Sequence, residues 1–230
     1  MSDRIAAAED GIRFFGRVTA SISHEINNVL AIIYENSGLV EDLLLAAEKG
    51  RPLDSSRLKE LAGRLKAQVR RGKDIVENMN RFAHSVDESV NSLDLRDLLA
   101  LTVSLARRIV SMKEFEVEVE KVGKAVHVRT DPFLLQNLVW LCLDFLMEAG
   151  SSPDSIRLIP EEAGDEARIR FTGMKRVPSG AGFPTPKQEI LSKAVGARLS
   201  MIDGEMLLSI PQNVAVTPQR HQGTKKEKEV

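Results

Sequence analysis

The segment Ser21 to Ile33, SISHEINNVLAII, holds the residue types best suited to chemistry in this chain. Its apolar positions Ile22, Ile26, Val29 and Ile33, with Phe15 two turns earlier, recur at threes, fours and sevens, the spacing of a helix with one buried stripe. At 100° per residue His24 falls on the side opposite that stripe and projects into water. Asn28 lies about 40° from it and Arg17 about 20° from it around the axis, while Glu25 sits on the flank, toward a neighbouring helix. An imidazole in water is largely neutral at pH 7, so one ring nitrogen keeps a free lone pair. Such a nitrogen is a competent nucleophile toward phosphorus. Glu25 is the candidate to accept the other N–H, fix the tautomer and stabilise the cation that forms on attack. Asn28 would orient a phosphoryl oxygen or a water, and Arg17 would offset the charge of an incoming phosphoryl group.

The elements that must position these groups are legible around them. From about Glu9 to Lys49 there is no proline and the seam extends through Val40 and Leu43. Gly50, Arg51, Pro52 and Leu53 stop the helix, and Asp54 or Ser55 caps a second one. Its seam reads Leu58, Leu61, Leu65, Val69, Gly72, Val76, Met79, Ala83 and Val86. Two long amphipathic helices joined by a short turn make an antiparallel hairpin, expected over residues 1–88. A lone hairpin leaves much apolar surface uncovered, and pairing with a second copy through a two-fold axis closes a four-helix bundle, so a homodimer is expected.

Beyond this the texture changes. LDLRDLLALTVSLARRIVS reads as a helix, and FEVEVEKV and AVHVRT alternate as strands do. Residues 131–149 form a strongly apolar helix opened by Asp131-Pro132. SIRLIPEE, EARIRFTG and GEMLLSIP read as three more strands, with a helix near 186–196 ahead of RLSMID. The expectation is a mixed α/β domain over 89–212, one sheet with helices on one face. The tail, 213–230, is expected to be unstructured.

Composition narrows the function further. The 230 residues carry 32 Lys+Arg against 33 Asp+Glu, so no global field favours nucleic acid or an anionic membrane. Aromatics are 4%, too few for a base-stacking surface. The single cysteine, Cys142, excludes an internal disulfide and a cysteine metal knuckle. No leader or membrane span is read from the sequence, and a cytoplasmic location is expected. His84, His127 and His221 read as structural or solvated, and Trp140 and Cys142 as core.

His-Glu-Ile-Asn-Asn on a helix resembles the phosphoacceptor box of sensor histidine kinases. KAQVRRGKDIVENMNRFA is similar to the second helix of that family's bundle, and SLDLRDLL to the linker into its ATP-binding domain. The resemblance spans roughly residues 10–110 and implies a histidine-kinase-type α/β sandwich after the hairpin. It also implies that His24 is the phosphoacceptor, with Glu25 and Asn28 assisting, and that a partner docks around Arg17, Asn27, Arg70, Arg71 and Lys73. The second helix holds eight basic residues against four acidic ones, a charge balance suited to an acidic partner surface.

The C-terminal half departs from the family. Two asparagines that hold Mg²⁺ and nucleotide there are replaced by Trp140 and Asp144; the carboxylate that reads adenine is replaced near Gly173; and the phosphate-cradling loop shrinks to Gly180-Ala181-Gly182-Phe183, followed by Pro184. Mg²⁺ takes oxygen ligands, which an indole lacks. The resemblance is therefore to dimeric histidine phosphotransferases with a degenerate ATPase-like domain, needing no cofactor on this chain. Phosphoryl would come from a receiver-domain aspartate of a response regulator, with Mg²⁺ on that partner, and pass to another. The competing readings are an autokinase with an atypical nucleotide site, a non-phosphorylated scaffold, and a receiver phosphatase using Asn28.

Overall fold

In the computed structural model, residues 2–87, 90–121, 123–150, 154–174 and 182–212 are described, side chains from Glu9 onward. The boundary expected at 88/89, Gly180 and Ala181 of the glycine loop, His221 and the tail from 213 lie outside the described residues. Helix α1 runs Ser2–Glu48 and α2 Ser55–His84. Asp54 ends the connecting turn by accepting from the backbone N–H groups of Ser56 and Arg57, which would otherwise be orphaned at the helix start.

The two helices pack along a seam that keeps Ile22, Val29, Leu61 and Gly72 as expected and departs from the expected one at Phe15, Val69, Val76 and Met79. Phe14, Val18, Ile22, Glu25, Val29 and Asn36 of α1 are buried, with Leu61 and Phe82 of α2, whereas Phe15, Val69, Val76 and Met79 are exposed. The stripe of α1 is wider than one partner helix can cover, and at Gly72 the helices approach so closely that an added Cβ would lie 3.3 Å from Val29 Cγ1. The large apolar residues beside this contact are left on the outside of the hairpin.

The α/β part follows the expected order: α3 (Leu95–Met112), β2 (Phe115–Val119), α4 (Pro132–Ala149), β4 (Asp154–Ala163), β5 (Glu166–Thr172), α5 (Pro186–Val195), β6 (Arg198–Ile202) and β7 (Glu205–Pro211). Five strands form one sheet in the order β2-β4-β5-β7-β6, with the β2–β4 pair parallel and the others antiparallel. The expected single sheet is corrected in one respect. Asn91–Asp94 form a short strand β1 that pairs antiparallel with β3 (His127–Thr130), a separate two-stranded ribbon. β1 escapes sequence reading because four residues ending in the α3 N-cap Asp94 are too short for alternation to show.

α4 is the hub of the core. It is apolar enough by length and composition to cross a membrane, yet it is a core helix here, with Leu135, Leu138, Val139, Cys142 and Leu143 sealed under α3, α5 and the sheet. Burial pushes the Cys142 thiol far above the usual range. The same apolar cluster takes in Phe14, Val18, Ile22 and Phe82 from the hairpin. Hairpin and α/β layer thus share one core at the base of α1.

Candidate functional site

His24 and Asn28 are exposed on α1, one turn apart, and Asn27 is exposed beside them. The scaffold beneath is rigid. Ile22 and Val29 are buried on either side of the histidine, and Ser23 Oγ donates to Thr19 O at 2.9 Å. The imidazole therefore stands in water on a helix held by its opposite side, which is what attack on a bulky phosphorylated partner requires.

Four of the charged residues assigned to this site, Glu25, Arg71, Arg17 and Lys73, already hold partners. The Glu25 carboxylate reaches across the hairpin to Arg71, at 3.7 Å, and its side chain is only 12% exposed. It sits toward the neighbouring helix as expected, and its recorded partner there is a guanidinium. Arg17 shares the His24 face but lies 3.6 Å from Asp144 of α4. Lys73 pairs with Glu77 one turn on, at 3.4 Å. Arg70 is exposed on the same helix.

Beside Glu25 the hairpin and α3 enclose a cleft of about 340 Å³. Glu25, Arg71, Asp74, Asn78, Ser104 and Arg107 line it. Asn78 Nδ2 donates to Ser104 Oγ at 2.9 Å, tying α2 to α3 in the cleft that Glu25 lines. Ser104 and Arg107 were not singled out from sequence, because nothing in α3's own pattern shows which of its polar residues meets the hairpin.

The positions that the resemblance relates to nucleotide binding are differently occupied. Trp140 is buried, 3% exposed. Asp144 Oδ1 accepts from Lys113 Nζ at 2.6 Å while its other oxygen faces Arg17. The Phe183 ring packs against Phe145, centroids 5.5 Å apart. Gly173, at φ 95°, lies near the Ser155 carbonyl, where a Cβ would come within 3.1 Å, and brings no carboxylate. An indole in the core and a carboxylate engaged by two cations do not fit Mg²⁺ and a nucleotide.

No family model matches this chain, and no curated protein matches it. Solved structures similar to it include the histidine kinase AdeS of Acinetobacter baumannii, 10% identical, covering 83% of this chain and 98% of that one at a TM-score of 0.46. The histidine kinase ThkA, solved in complex with the response regulator TrrA, is 14% identical over 88% of this chain and 63% of that one, TM-score 0.45. A bacterial phosphotransferase is 14% identical over 86% of this chain and 95% of that one, TM-score 0.43.

Proposed function

We propose that this chain is a histidine phosphotransfer protein of a two-component relay, with His24 as the phosphoryl carrier between receiver-domain aspartates. The observation that carries the reading is the exposure of His24, in the sequence His-Glu-Ile-Asn-Asn, on a helix whose neighbouring apolar residues are buried. In the forward step the imidazole lone pair forms a P–N bond as the P–O bond of an aspartyl phosphate breaks. The aspartate leaves as a carboxylate, and the ring N–H proton is shed to water or an acceptor. In the return step the P–N bond breaks as the next aspartate forms a P–O bond, and the ring regains a proton. Mg²⁺ on the receiver neutralises the transferring phosphoryl group. Asn28 and Asn27 border the acceptor and contact the receiver, and Arg70 supplies an exposed cation beside it.

Nucleotide takes no part in this reading. Support comes from Trp140 and Asp144, which leave no free oxygen ligands where the related kinases use asparagines. The reading also requires a homodimer. Leu30, 56% exposed, and Tyr34 on α1 stand uncovered, as do Val69 (60% exposed), Val76 and Met79 on α2. Around α1, Leu30 lies about 120° and Tyr34 about 80° from His24, so a second copy can cover them and the exposed apolar residues of α2 and leave the histidine in water.

Incubation of the pure protein with receivers phosphorylated by a small-molecule donor tests the proposal. Acid-labile label on His24, lost in His24→Ala, is the expected result. Absence of label from every receiver of the source cell overturns it. Receiver dephosphorylation without label, abolished by Asn28→Ala, indicates a phosphatase instead, and label taken directly from ATP indicates an autokinase.

A further inference from the structure

Three elements that are remote in sequence meet at one carboxylate. Asp144 of α4, with its side chain 17% exposed, accepts from Lys113 Nζ, just past the end of α3, at 2.6 Å and faces Arg17 Nη1 of α1 at 3.6 Å. A second tie lies two turns nearer the start of α1, where Lys187 Nζ of α5 donates to Asp10 Oδ1 at 2.6 Å. Between them is an aromatic plug. Phe82 stacks with Phe15 and meets Phe14 edge-on, both at 5.5 Å, and Phe133 of α4 closes on Phe14 and Phe82 at 5.9 Å. Gly11 permits this approach, since a Cβ there would lie 3.1 Å from the Phe133 ring.

We propose that Asp144 is a joint residue: it locks the α/β layer to the acceptor helix and holds that layer as a stationary wall along the base of α1. A largely buried carboxylate between two cations from different elements is stable only where both cations reach it, so it selects one relative placement of hairpin and α/β layer. The apolar plug supplies cohesion but tolerates sliding, whereas the two ion pairs that cross to α1, Arg17–Asp144 at 3.6 Å and Lys187–Asp10 at 2.6 Å, fix the offset, and Lys113 holds the Asp144 carboxylate in place from within the layer. Arg17 shares the face of His24, seven residues or roughly 10 Å along the axis. An interface of ordinary size, about 800 Å² per partner, reaches roughly 16 Å from its centre. A partner centred on His24 therefore meets the joint. The wall belongs to its docking surface as a rigid feature and is not free to swing toward the histidine.

The lock stands on the structure alone and is tested without phosphotransfer, while its place in a docking surface rests on the proposed function. Spin labels at Glu35→Cys on α1 and Glu116→Cys on β2, both exposed, report the placement of the two parts by pulsed dipolar spectroscopy. Dilution with unlabelled chain suppresses signals between copies, and the buried Cys142 stays unlabelled. One narrow distance is expected for the parent and for Arg17→Lys. Asp144→Asn and Arg17→Gln are each expected to broaden it or add a second distance, with unchanged circular dichroism. Distributions for both that superimpose on the parent overturn the proposal. Arg17, at the solvent edge of the cluster, keeps the test valid if the Asp144 variant fails to fold.

Discussion

The far end of the hairpin and the α/β layer are built to different degrees of completion. In the layer, helices and sheet seal a core in which Leu99, Leu135, Leu138, Ile156, Ile169 and Leu208 have no exposed surface. Along the hairpin beyond Ile26, Val29 and Leu61 are the buried apolar residues, while Leu30, Tyr34, Leu44, Leu45 and Val69 face outward. A layer closed on itself is stable alone. A half-covered pair of helices is stable to the extent that something else covers it. The near end of the hairpin is the exception, because Phe14, Val18 and Phe82 are absorbed into the layer's core.

The largest test of this contrast is chemical. His24→Gln should remove all phosphoryl label from the protein while leaving the thermal unfolding midpoint within about a degree, because an exposed side chain carries little packing. Where the two regions join, Phe82→Ala should cost about 3–5 kcal/mol in urea unfolding, since the ring is fully buried and touches three other phenylalanines. It should also split one cooperative transition into two, with the hairpin melting first. A single transition of unchanged midpoint would show that the shared core contributes nothing. At the uncovered end, Leu30→Glu with Val76→Glu should convert the proposed dimer to monomer in sedimentation equilibrium. The near-ultraviolet signal of Trp140 in the sealed layer should stay intact.

The smallest effect concerns the two caps. Asp54, in the hairpin turn, has its carboxyl held below the usual range by the Arg57 backbone N–H and the Ser56 hydroxyl. Its contribution is present above the unfolded-state pKa and is lost as pH falls through the folded value. Asp131, at the start of α4, is pushed up by burial, partly offset by the backbone N–H groups of Leu134 and Phe133. Here the folded state holds the proton more tightly than the unfolded chain, so stability declines as pH rises through that window. Asp54→Asn should therefore lower stability at pH 7 more than at pH 3, and Asp131→Asn the reverse. Equal slopes in the two variants would show that burial does not separate the caps.

How much of this was legible is clearest residue by residue. The starts of α2 and α4 follow from Asp54 and Asp131-Pro132, because caps and prolines act within three or four residues. The exposure of His24 follows from periodicity for the same reason. The seam departs in part from the expected one because the stripe of α1 is wider than a single partner helix can cover. Spacing alone does not say which edge meets α2 and which is left open. Lys113, Asp144, Asp10 and Lys187 could not be foreseen, since each pair is at least thirty-one residues apart and has no local pattern.

The amino-acid order by itself determined the helices, the longer strands and the outward-facing imidazole, since each depends on neighbours within a turn or two. Only the tertiary structure decided that Glu25 turns to Arg71, that Asp144 is held by two cations, and that the base of the hairpin enters the core of the layer. These depend on distances between segments far apart along the chain, which are set when apolar surfaces close over one another.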